Sequence, residues 1–267
     1  MTVIKLKRAT RPFSPALPPD KSLWHLFGTK DLHKLDTFLS GGLYLARLDR
    51  FDDPREGALP RRNRNLLNKA PAFEQRYIRA AYRQAVRQSF ATCWHRSSGE
   101  PSDYVWEEFG ANHDGIAIRT SPQRMAKALR PIAALGAAHL GVIRYIDHAR
   151  DLIGSQNILQ SQFVIRSEYQ REEEARLLLH TYGPFGSKLV RLTGPKGFLV
   201  RIRKTKTIPQ RHEFVGGYGR GTAIVLAIEP KEFIEEIVLG CRVDDSLYGN
   251  ISRRVAALAI PCRRVRS

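Results

Sequence analysis

The segment 171–176, Arg-Glu-Glu-Glu-Ala-Arg, has charged residues at every second position from Glu172 to Arg176. If a β-strand begins there, Glu172, Glu174 and Arg176 lie on one face of it, because side chains alternate along a strand. Like-charged carboxylates side by side on a sheet face cost free energy, and functional sites are where such an arrangement is kept. If the segment instead continues a preceding helix, it is an ordinary solvated run of charge. The alternation therefore indicates Glu174 and Glu172 as candidate catalytic residues.

A histidine stands early in the chain, in the run Trp24-His25-Leu26-Phe27-Gly28-Thr29. Imidazole suits acid–base chemistry and ligand binding because its charge changes near neutral pH. The alternative is structural, because a histidine at a strand end commonly satisfies itself on a backbone carbonyl. His25 is therefore a candidate site residue with a structural alternative.

Aromatic and acidic residues also cluster in the first half of the chain. They occur in Asp52-Asp53-Pro54-Arg55-Glu56, Cys93-Trp94-His95, Trp106-Glu107-Glu108-Phe109-Gly110 and His113-Asp114-Gly115-Ile116-Ala117-Ile118. Aromatic rings beside acids and a histidine are able to line a pocket for a ring or a base. The alternative is a loop held by Asx turns and a core helix anchored by Trp106.

The elements that position these residues follow from hydrophobic periodicity, caps and chain breakers. Thr29 is predicted to N-cap the first helix, which the Gly41-Gly42 pair closes. Strands are predicted at 23–27, 43–48, 89–94, 115–119, 141–146, 175–180, 198–202, 223–228 and 237–239. Helices are predicted at 29–39, 72–88, 104–109, 123–130, 151–169, 230–236 and 245–257. Because strands and helices do not alternate regularly, the prediction is an α+β fold with a mixed, mostly antiparallel sheet core and flanking helices.

The 267 residues are predicted to form a basic, proline-rich arm over 1–22 and a single α+β domain over 23–267. A basic helical insertion is expected within that domain at about 55–88. Lysine and arginine number 44 against 26 acidic residues, giving a net charge of +18. Such an excess indicates a polyanion partner, most plausibly nucleic acid, with a generally cationic surface as the alternative. The arginines expected to contact nucleic acid are Arg76, Arg83, Arg87, Arg263 and Arg264.

The three cysteines, Cys93, Cys241 and Cys262, are far apart and odd in number. This spacing argues against a disulfide framework and against a thiolate metal site, so the reducing cytoplasm is the expected location and no metal is expected. Basic residues and prolines interrupt every short apolar run near the N-terminus, so neither a signal peptide nor a membrane span is expected. The oligomeric state does not follow from these features.

The ordered motifs resemble an uncharacterised bacterial domain-of-unknown-function family found near abortive-infection and phage-defence genes. The resemblance is carried by the Trp24 run, by Asp52 to Glu56, by the segment from Trp106 to Ile118, and by Glu172-x-Glu174-x-Arg176. It spans roughly residues 23 to 240, and the family label supplies no reaction.

A looser similarity links the chain to histidine-type ADP-ribosyltransferases, some of which modify DNA. In these enzymes a strand-borne histidine near a threonine precedes a helix ending in Gly-Leu, then a tyrosine or serine, and a later Glu-x-Glu. His25, Thr29, Gly42-Leu43, Tyr44 and Glu172-x-Glu174 follow that order. The chain departs from the pattern in one respect, because three residues instead of one separate His25 from Thr29.

This similarity implies an ADP-ribosyltransferase-like fold and NAD as a substrate. Cleavage of the nicotinamide–ribose bond develops oxocarbenium character, which Glu174 would stabilise while Glu172 orients or deprotonates the acceptor. His25 and Tyr44, with Thr29 and Trp106, would hold the dinucleotide. The implied protein acts on or near nucleic acid as a toxin or phage-defence effector, with a small antitoxin or another acidic protein as a further partner.

Two other function classes remain open. In a metal-dependent nuclease, magnesium would be held by carboxylates drawn from Asp52, Asp53, Glu56, Glu107 and Glu108. In a non-enzymatic nucleic-acid-binding protein, the basic residues contact phosphates and no residue performs chemistry. Zinc is the least favoured choice, because Cys93, His95 and His113 supply at most three ligands.

Overall fold

A computed structural model describes residues 17–129, 137–154, 157–180, 198–200, 212–214 and 223–265. The strands are β1 Ser22–Gly28, β2 Gly42–Arg47, β3 Ser89–Ser97, β4 Gly115–Thr120, β5 Ala137–Val142, β6 Arg144–Ile146, β7 Val164–Arg166, β8 Glu174–His180, β9 Phe198–Val200, β10 His212–Phe214, β11 Ala223–Ala227, β12 Glu236–Leu239 and β13 Cys262–Arg264. The α-helices are α1 Leu32–Leu39, α2 Arg61–Leu67, α3 Ala72–Arg87, α4 Asp103–Glu108, α5 Pro122–Leu129, α6 Pro230–Phe233 and α7 Asp245–Ala256.

Most pairings in the described sheets are antiparallel, while β12 with β13 and β6 with β7 are parallel. The predicted α+β class with a mixed, mostly antiparallel sheet is therefore confirmed. The predicted arm begins before the described residues, of which residue 17 is the first.

The helix predicted over 151–169 is wrong. The structure instead has a short 3-10 helix at Ile158–Phe163, followed by β7. Asn157 Oδ1 accepts from the backbone of Leu159, a side-chain cap that starts a tight turn. Val164 and Ile165 are then 2% and 4% exposed, because β7 pairs with β6 and buries both faces. A continuous apolar run of this kind does not distinguish a buried strand from a buried helix.

The chain divides into two compact units. Unit two comprises residues 17–44, 93–129 and 226–265. Within it β1 pairs with the C-terminal half of β3 and with β4, and β4 pairs with β12, which in turn pairs with β13. Trp24, Trp106, Ala117 and Val238 form one core cluster. Helix α1 ends before Gly41, whose φ of +87° suits glycine and whose Cβ would lie 2.9 Å from a backbone oxygen.

Unit one comprises residues 45–92 and the described residues between 137 and 225. In it β2 pairs with β3 at Ala46 and Arg47, and β5 pairs with β8 along the whole length of both strands. Every residue of β8 is buried. Because side chains alternate along a strand, Glu174 and Arg176 at its start share one face. This unit therefore places two charged residues in its interior.

The helices of unit one lie in the predicted insertion. Helix α3 confirms the predicted helix at 72–88, and α2 precedes it. Gln75 Nε2 donates to the carbonyls of Asn68 and Ala70, and Arg79 donates to Asn68 Oδ1, so the connection between the two helices is fixed. No helix among the described residues is long and apolar enough to cross a membrane.

Candidate functional site

Three charged side chains are buried together in unit one, and we call them the carboxylate–arginine cluster: Glu56, Glu174 and Arg176. They are 9%, 5% and 1% exposed. Arg176 Nε donates to Glu174 Oε1 at 2.8 Å, and its Nη1 and Nη2 donate to the two Glu56 carboxylate oxygens at 2.5 and 3.4 Å. Nη1 also donates to the Gln162 carbonyl at 2.8 Å, and the guanidinium lies over the Phe51 ring. The guanidinium is thus held by both carboxylates at once.

The cluster carries one excess negative charge when all three groups are ionised. Burial raises the pKa of the Glu56 carboxyl, and the Arg176 guanidinium opposes that shift. Removing each charge from water costs several kcal/mol, and apolar replacements of buried ion clusters are often at least as stable. Stability alone therefore does not explain the cluster. Buried carboxylates of this kind are suited to stabilising positive charge that develops in a reaction.

The Glu174 side chain is held in a defined position with one oxygen left over. Its backbone N–H donates to Tyr145 Oη at 2.7 Å, and its carbonyl accepts from Ile143 N at 3.0 Å. Arg176 fixes Oε1, whereas Oε2 accepts no hydrogen bond from any residue that the structure describes. The carboxylate is therefore positioned by the protein and retains one oxygen for a ligand.

A tight turn brings Glu56 to the cluster. Asp53 Oδ1 accepts from Arg55 N at 2.9 Å, and Asp53 Oδ2 pairs with Arg166 Nε at 3.2 Å. Gly57 follows with a φ of +67°, and a Cβ there would lie 2.7 Å from a valine methyl group. The bond from Arg55 N to Asp53 Oδ1 is an Asx turn, as in the alternative that the sequence left open for this segment. The Glu56 side chain shares Arg176 with Glu174, a relation that the sequence alone did not predict.

Glu172 does not lie on the strand. It ends a 3-10 helix at Ser167–Glu172, and Glu173 adopts a left-handed conformation with φ 42° before β8 begins at Glu174. The left-handed residue turns the chain between them, so Glu172 does not continue the alternation of Glu174 and Arg176. The expectation of a shared strand face for Glu172 is wrong, and its catalytic role stays a prediction.

A second feature of unit one is a cavity of about 200 Å³, which we call the arginine cavity. Its polar walls are Arg55, Arg61, Arg64 and His148. His148 is 9% exposed, and its imidazole makes no hydrogen bond to the described part of the chain. Burial lowers the pKa of His148, and the nearby arginines lower it further against the opposing effect of Asp53. The cavity is therefore a strongly cationic recess.

His25 lies on β1 of unit two, among aromatic rings. Its Nδ1 lies 3.0 Å from the Cys93 carbonyl, and its ring centroid is 5.2 Å from Trp94 and 5.7 Å from Phe38. Burial lowers its pKa to about 4, so the ring is neutral at pH 7. Because a carbonyl only accepts, Nδ1 carries the proton and Nε2 is an acceptor. A ribose hydroxyl that contacts His25 Nε2 would therefore have to be the hydrogen-bond donor.

Thr29 does not cap a helix, contrary to expectation. Gly28 precedes a 3-10 turn at Thr29–Asp31, and Thr29 Oγ1 donates to Asp114 Oδ2 at 3.0 Å. Asp114 follows three successive residues with left-handed backbone, at 111–113, whose φ angles are 49°, 55° and 66°. Non-glycine residues in this region store strain, which is frequent at functional sites. Thr29 thus anchors a strained loop.

Trp106 and Tyr44 differ in accessibility. Trp106 is 1% exposed, lies in the core cluster with Trp24 and is stacked against His113 at 5.8 Å. Its ring belongs to the core and has no open face for a ligand. Tyr44, on β2, is 48% exposed and free to stack. Of the two aromatic residues expected to contact NAD, only Tyr44 presents its ring to solvent.

Helix α3 presents arginine and aromatic side chains to solvent. Arg76, Arg83 and Arg87 are exposed, and helical geometry places them on one face. Phe73 and Tyr77 lie beside this face and are 66% and 75% exposed. We call these five residues the α3 face. Arginines next to exposed rings offer both phosphate contact and base stacking.

The arginines expected near the C-terminus are engaged inside unit two. Arg263 pairs with Glu236 at 3.0 Å and with Glu100 at 2.8 Å. Arg264 pairs with Asp245 at 2.7 Å and lies over the Tyr248 ring. Both belong to β13, so the expected basic tail is in part a strand. Phosphate contact by either arginine would have to compete with these ion pairs.

The candidate metal ligands do not come together as a metal site within the described ranges. No group of three or more His, Cys, Asp or Glu side chains within them is arranged to hold a metal ion. Among the carboxylates that a nuclease would use, Asp53 and Glu56 are already paired with Arg166 and Arg176.

Comparisons with known proteins give little beyond this geometry. No family model matches the chain, and no curated protein sequence matches it. Among solved structures, the DarT protein of Thermus sp. 2.9 in complex with ADP-ribosylated ssDNA is similar over 95% of this chain and 97% of that chain. The identity is 12% and the TM-score is 0.36, values at which the likeness carries no assignment.

Proposed function

We propose that the protein is an ADP-ribosyltransferase-like enzyme that uses NAD as a substrate and acts on nucleic acid. The observation that carries the proposal is the position of Glu174, which is buried, fixed through Oε1 and free at Oε2. Breaking a glycosidic bond to nicotinamide leaves the ribose with oxocarbenium character. A desolvated, preorganised carboxylate stabilises such charge far better than water does.

In this mechanism Glu174 accepts a hydrogen bond from a ribose hydroxyl and faces the developing positive charge. Arg176 is a positioning residue, because it holds Oε1 and does not touch the substrate. Glu56 acts one step further away by holding Arg176 through both carboxylate oxygens. The bond from C1′ to nicotinamide breaks, nicotinamide leaves, and an acceptor nucleophile forms the new bond to C1′ while losing a proton. NAD contacts by His25, Thr29 and Tyr44, and acceptor activation by Glu172, are part of the proposal.

The α3 face supports nucleic acid as the acceptor. Guanidinium groups contact phosphates without reading sequence, and exposed rings stack on unpaired bases. Phe73 and Tyr77 therefore favour single strands over duplexes, because bases in a duplex are already stacked. The proposal extends to a toxin or phage-defence role in the cytoplasm. There, a chain of net charge +18 is suited to an antitoxin or another acidic partner.

Label transfer from NAD tests the proposal. Purified protein is incubated with NAD labelled in its ADP-ribose part and with single-stranded or duplex DNA or RNA, and labelled nucleic acid and free nicotinamide are quantified. Glu174→Gln should lower the rate by about 10²- to 10³-fold, equivalent to about 3 to 4 kcal/mol of transition-state stabilisation.

The neighbouring exposed residue provides the matched control. Glu173→Gln removes the same charge one residue away and should keep its rate within about twofold of wild type. Wild-type NAD turnover in a folded Glu174→Gln protein would overturn the assignment. Fragmentation of the nucleic acid that depends on added magnesium would favour a nuclease instead, and salt-sensitive binding without chemistry would favour a non-enzymatic binding protein.

A further inference from the structure

The walls of the arginine cavity are rigidly held. Arg61 N donates to the His148 carbonyl at 2.8 Å. The Asn63 side chain makes two hydrogen bonds to the backbone of Ile153, at 2.8 and 3.0 Å. Beneath them Ile146, Ile153 and Val164 form a core cluster with Leu59. Helix α2 and the 147–153 turn are therefore joined by hydrogen bonds and rest on a shared apolar floor.

The charges of the arginine cavity are uncompensated. The guanidinium groups of Arg55, Arg61 and Arg64 make no ion pair within the part of the chain that the structure describes, and no carboxylate lines the cavity. The nearby Arg166, by contrast, pairs with Asp53 and Glu168. Three like charges around one recess repel each other, and an unpartnered imidazole in a buried wall costs free energy. An anion that enters the cavity would relieve both costs.

The size and chemistry of the cavity identify the anion. A volume of about 200 Å³ is below the range of roughly 300–1,000 Å³ that is usual for pockets holding whole organic ligands. The lining offers no carboxylate for ribose hydroxyls and, apart from His148, no aromatic ring to stack on a base. Guanidinium groups instead match the oxygens of a phosphate, and imidazole adds one more hydrogen bond.

We infer that the arginine cavity is a phosphate subsite that binds one phosphodiester of a nucleic-acid strand. The inference rests on the nucleic-acid acceptor proposed above and adds the place where the backbone is held. Helix α2, which supplies Arg61 and Arg64, is tied to α3 by the hydrogen bonds of Gln75 and Arg79 to residues 68–70. The arginine cavity and the α3 face are therefore carried by two connected helices of the same unit.

Charge-matched variants on a single helix test the inference. Arg61→Gln and Arg64→Gln each remove one guanidinium from the cavity, whereas Arg62→Gln removes one from the same helix outside it. Arg62 donates to the Arg150 carbonyl and does not line the cavity. Affinity for a labelled single-stranded oligonucleotide is measured by fluorescence anisotropy across a range of salt concentrations, with melting temperatures as the check on folding.

The cavity variants should each weaken oligonucleotide binding about 5- to 10-fold at ~0.1 M salt. They should also lower the slope of log affinity against log salt by about 0.7, the value for one phosphate contact on a single strand. The Arg62→Gln control should stay within about twofold. Inorganic phosphate should displace oligonucleotide from wild type better than chloride at equal ionic strength, and this advantage should vanish in the Arg61→Gln/Arg64→Gln double variant.

Two results would overturn the inference. Equal losses in all three single variants would show a general charge effect with no subsite. A raised KM for NAD in the cavity variants with unchanged oligonucleotide affinity would make the cavity a nucleotide site. NAD turnover of wild type and Glu174→Gln is measured in parallel without nucleic acid. If the cavity variants bind oligonucleotide like wild type but Glu174→Gln lowers NAD turnover strongly, the phosphate subsite is wrong and the proposed chemistry stands. If Glu174→Gln keeps wild-type NAD turnover but the cavity variants lose oligonucleotide affinity, the proposed chemistry is wrong and the phosphate subsite stands.

Discussion

Removal of the Arg176 guanidinium should destabilise the fold severely, and the size of the loss should depend on pH. In Arg176→Met the buried Glu56 and Glu174 lose their shared counter-charge, and the Gln162 carbonyl loses a donor. Breaking a buried ion pair by deleting one partner costs about 3 to 5 kcal/mol, and an orphaned buried carbonyl adds about 1 kcal/mol or more. We therefore expect a loss of about 4 to 6 kcal/mol in the free energy of unfolding at pH 7, measured by urea denaturation.

The loss should depend on pH with a defined sign. Without Arg176, the folded-state pKa of Glu56 stays raised above its unfolded value, because burial disfavours the charged form and the opposing guanidinium is gone. The penalty is then full above the folded-state pKa and disappears as the pH falls through it, since the folded variant binds more protons than the unfolded chain. The gap between wild type and Arg176→Met should therefore shrink by about 1 to 2 kcal/mol between about pH 7 and about pH 5.

A double-mutant cycle and a matched control separate this mechanism from a simple packing defect. Glu56→Gln should cost about 1 kcal/mol in wild type and should be neutral or stabilising in Arg176→Met, so the coupling should be about 1 kcal/mol or more. Arg166→Met removes an arginine whose ion pair with Asp53 is partly exposed, and it should cost about 1 kcal/mol or less. Equal costs for the two arginine variants, or additive costs in the cycle, would refute the account of the carboxylate–arginine cluster.

Two further outcomes are expected. Replacing the three arginines of the α3 face, Arg76, Arg83 and Arg87, by glutamine should lower the slope of log affinity against log salt for single-stranded oligonucleotides by about 2, as fluorescence anisotropy would show. Thermal melting should show little change in stability. Burial lowers the pKa of His180 to about 4, so its contribution to stability is present above the unfolded-state pKa of 6.5 and is lost as the pH falls towards 4. Between about pH 7 and about pH 4.5, His180→Gln should therefore lose about 2 to 3 kcal/mol less unfolding free energy than wild type. If urea titrations showed the same pH dependence of unfolding free energy in both proteins, the lowered pKa of His180 would be contradicted.

Local patterns predicted much of the fold. Helix α3 and strand β4 lie within one or two residues of their predicted bounds, because their periodicity and flanking residues point to the same structure. The segment at 151–169 failed because its apolar residues fit a helix and a buried strand equally well. The strand at Glu174 was predicted one residue late, and the left-handed Glu173 before it follows no propensity rule.

Only part of the carboxylate–arginine cluster could be predicted from the sequence. Glu174 and Arg176 are two residues apart, so strand alternation places them together. Glu56 lies 120 residues from Arg176, and no local pattern reports a pairing over that distance. The walls of the arginine cavity come from two segments, 55–64 and 148–149, and no local pattern reports that these two segments meet. The only sequence signals were the Asp53-Pro54 turn and the density of arginine at 61–64.

One tetrapeptide links the two features of unit one. In Asp53-Pro54-Arg55-Glu56, the aspartate fixes the turn, Arg55 lines the arginine cavity and Glu56 holds Arg176. The Cα atoms of adjacent residues are ~3.8 Å apart, so the turn joins a wall of the arginine cavity to the carboxylate–arginine cluster through one peptide bond. Such adjacency suits an enzyme whose acceptor is a polyanion. A phosphate held at Arg55 would keep the strand near the cluster that orients Glu174.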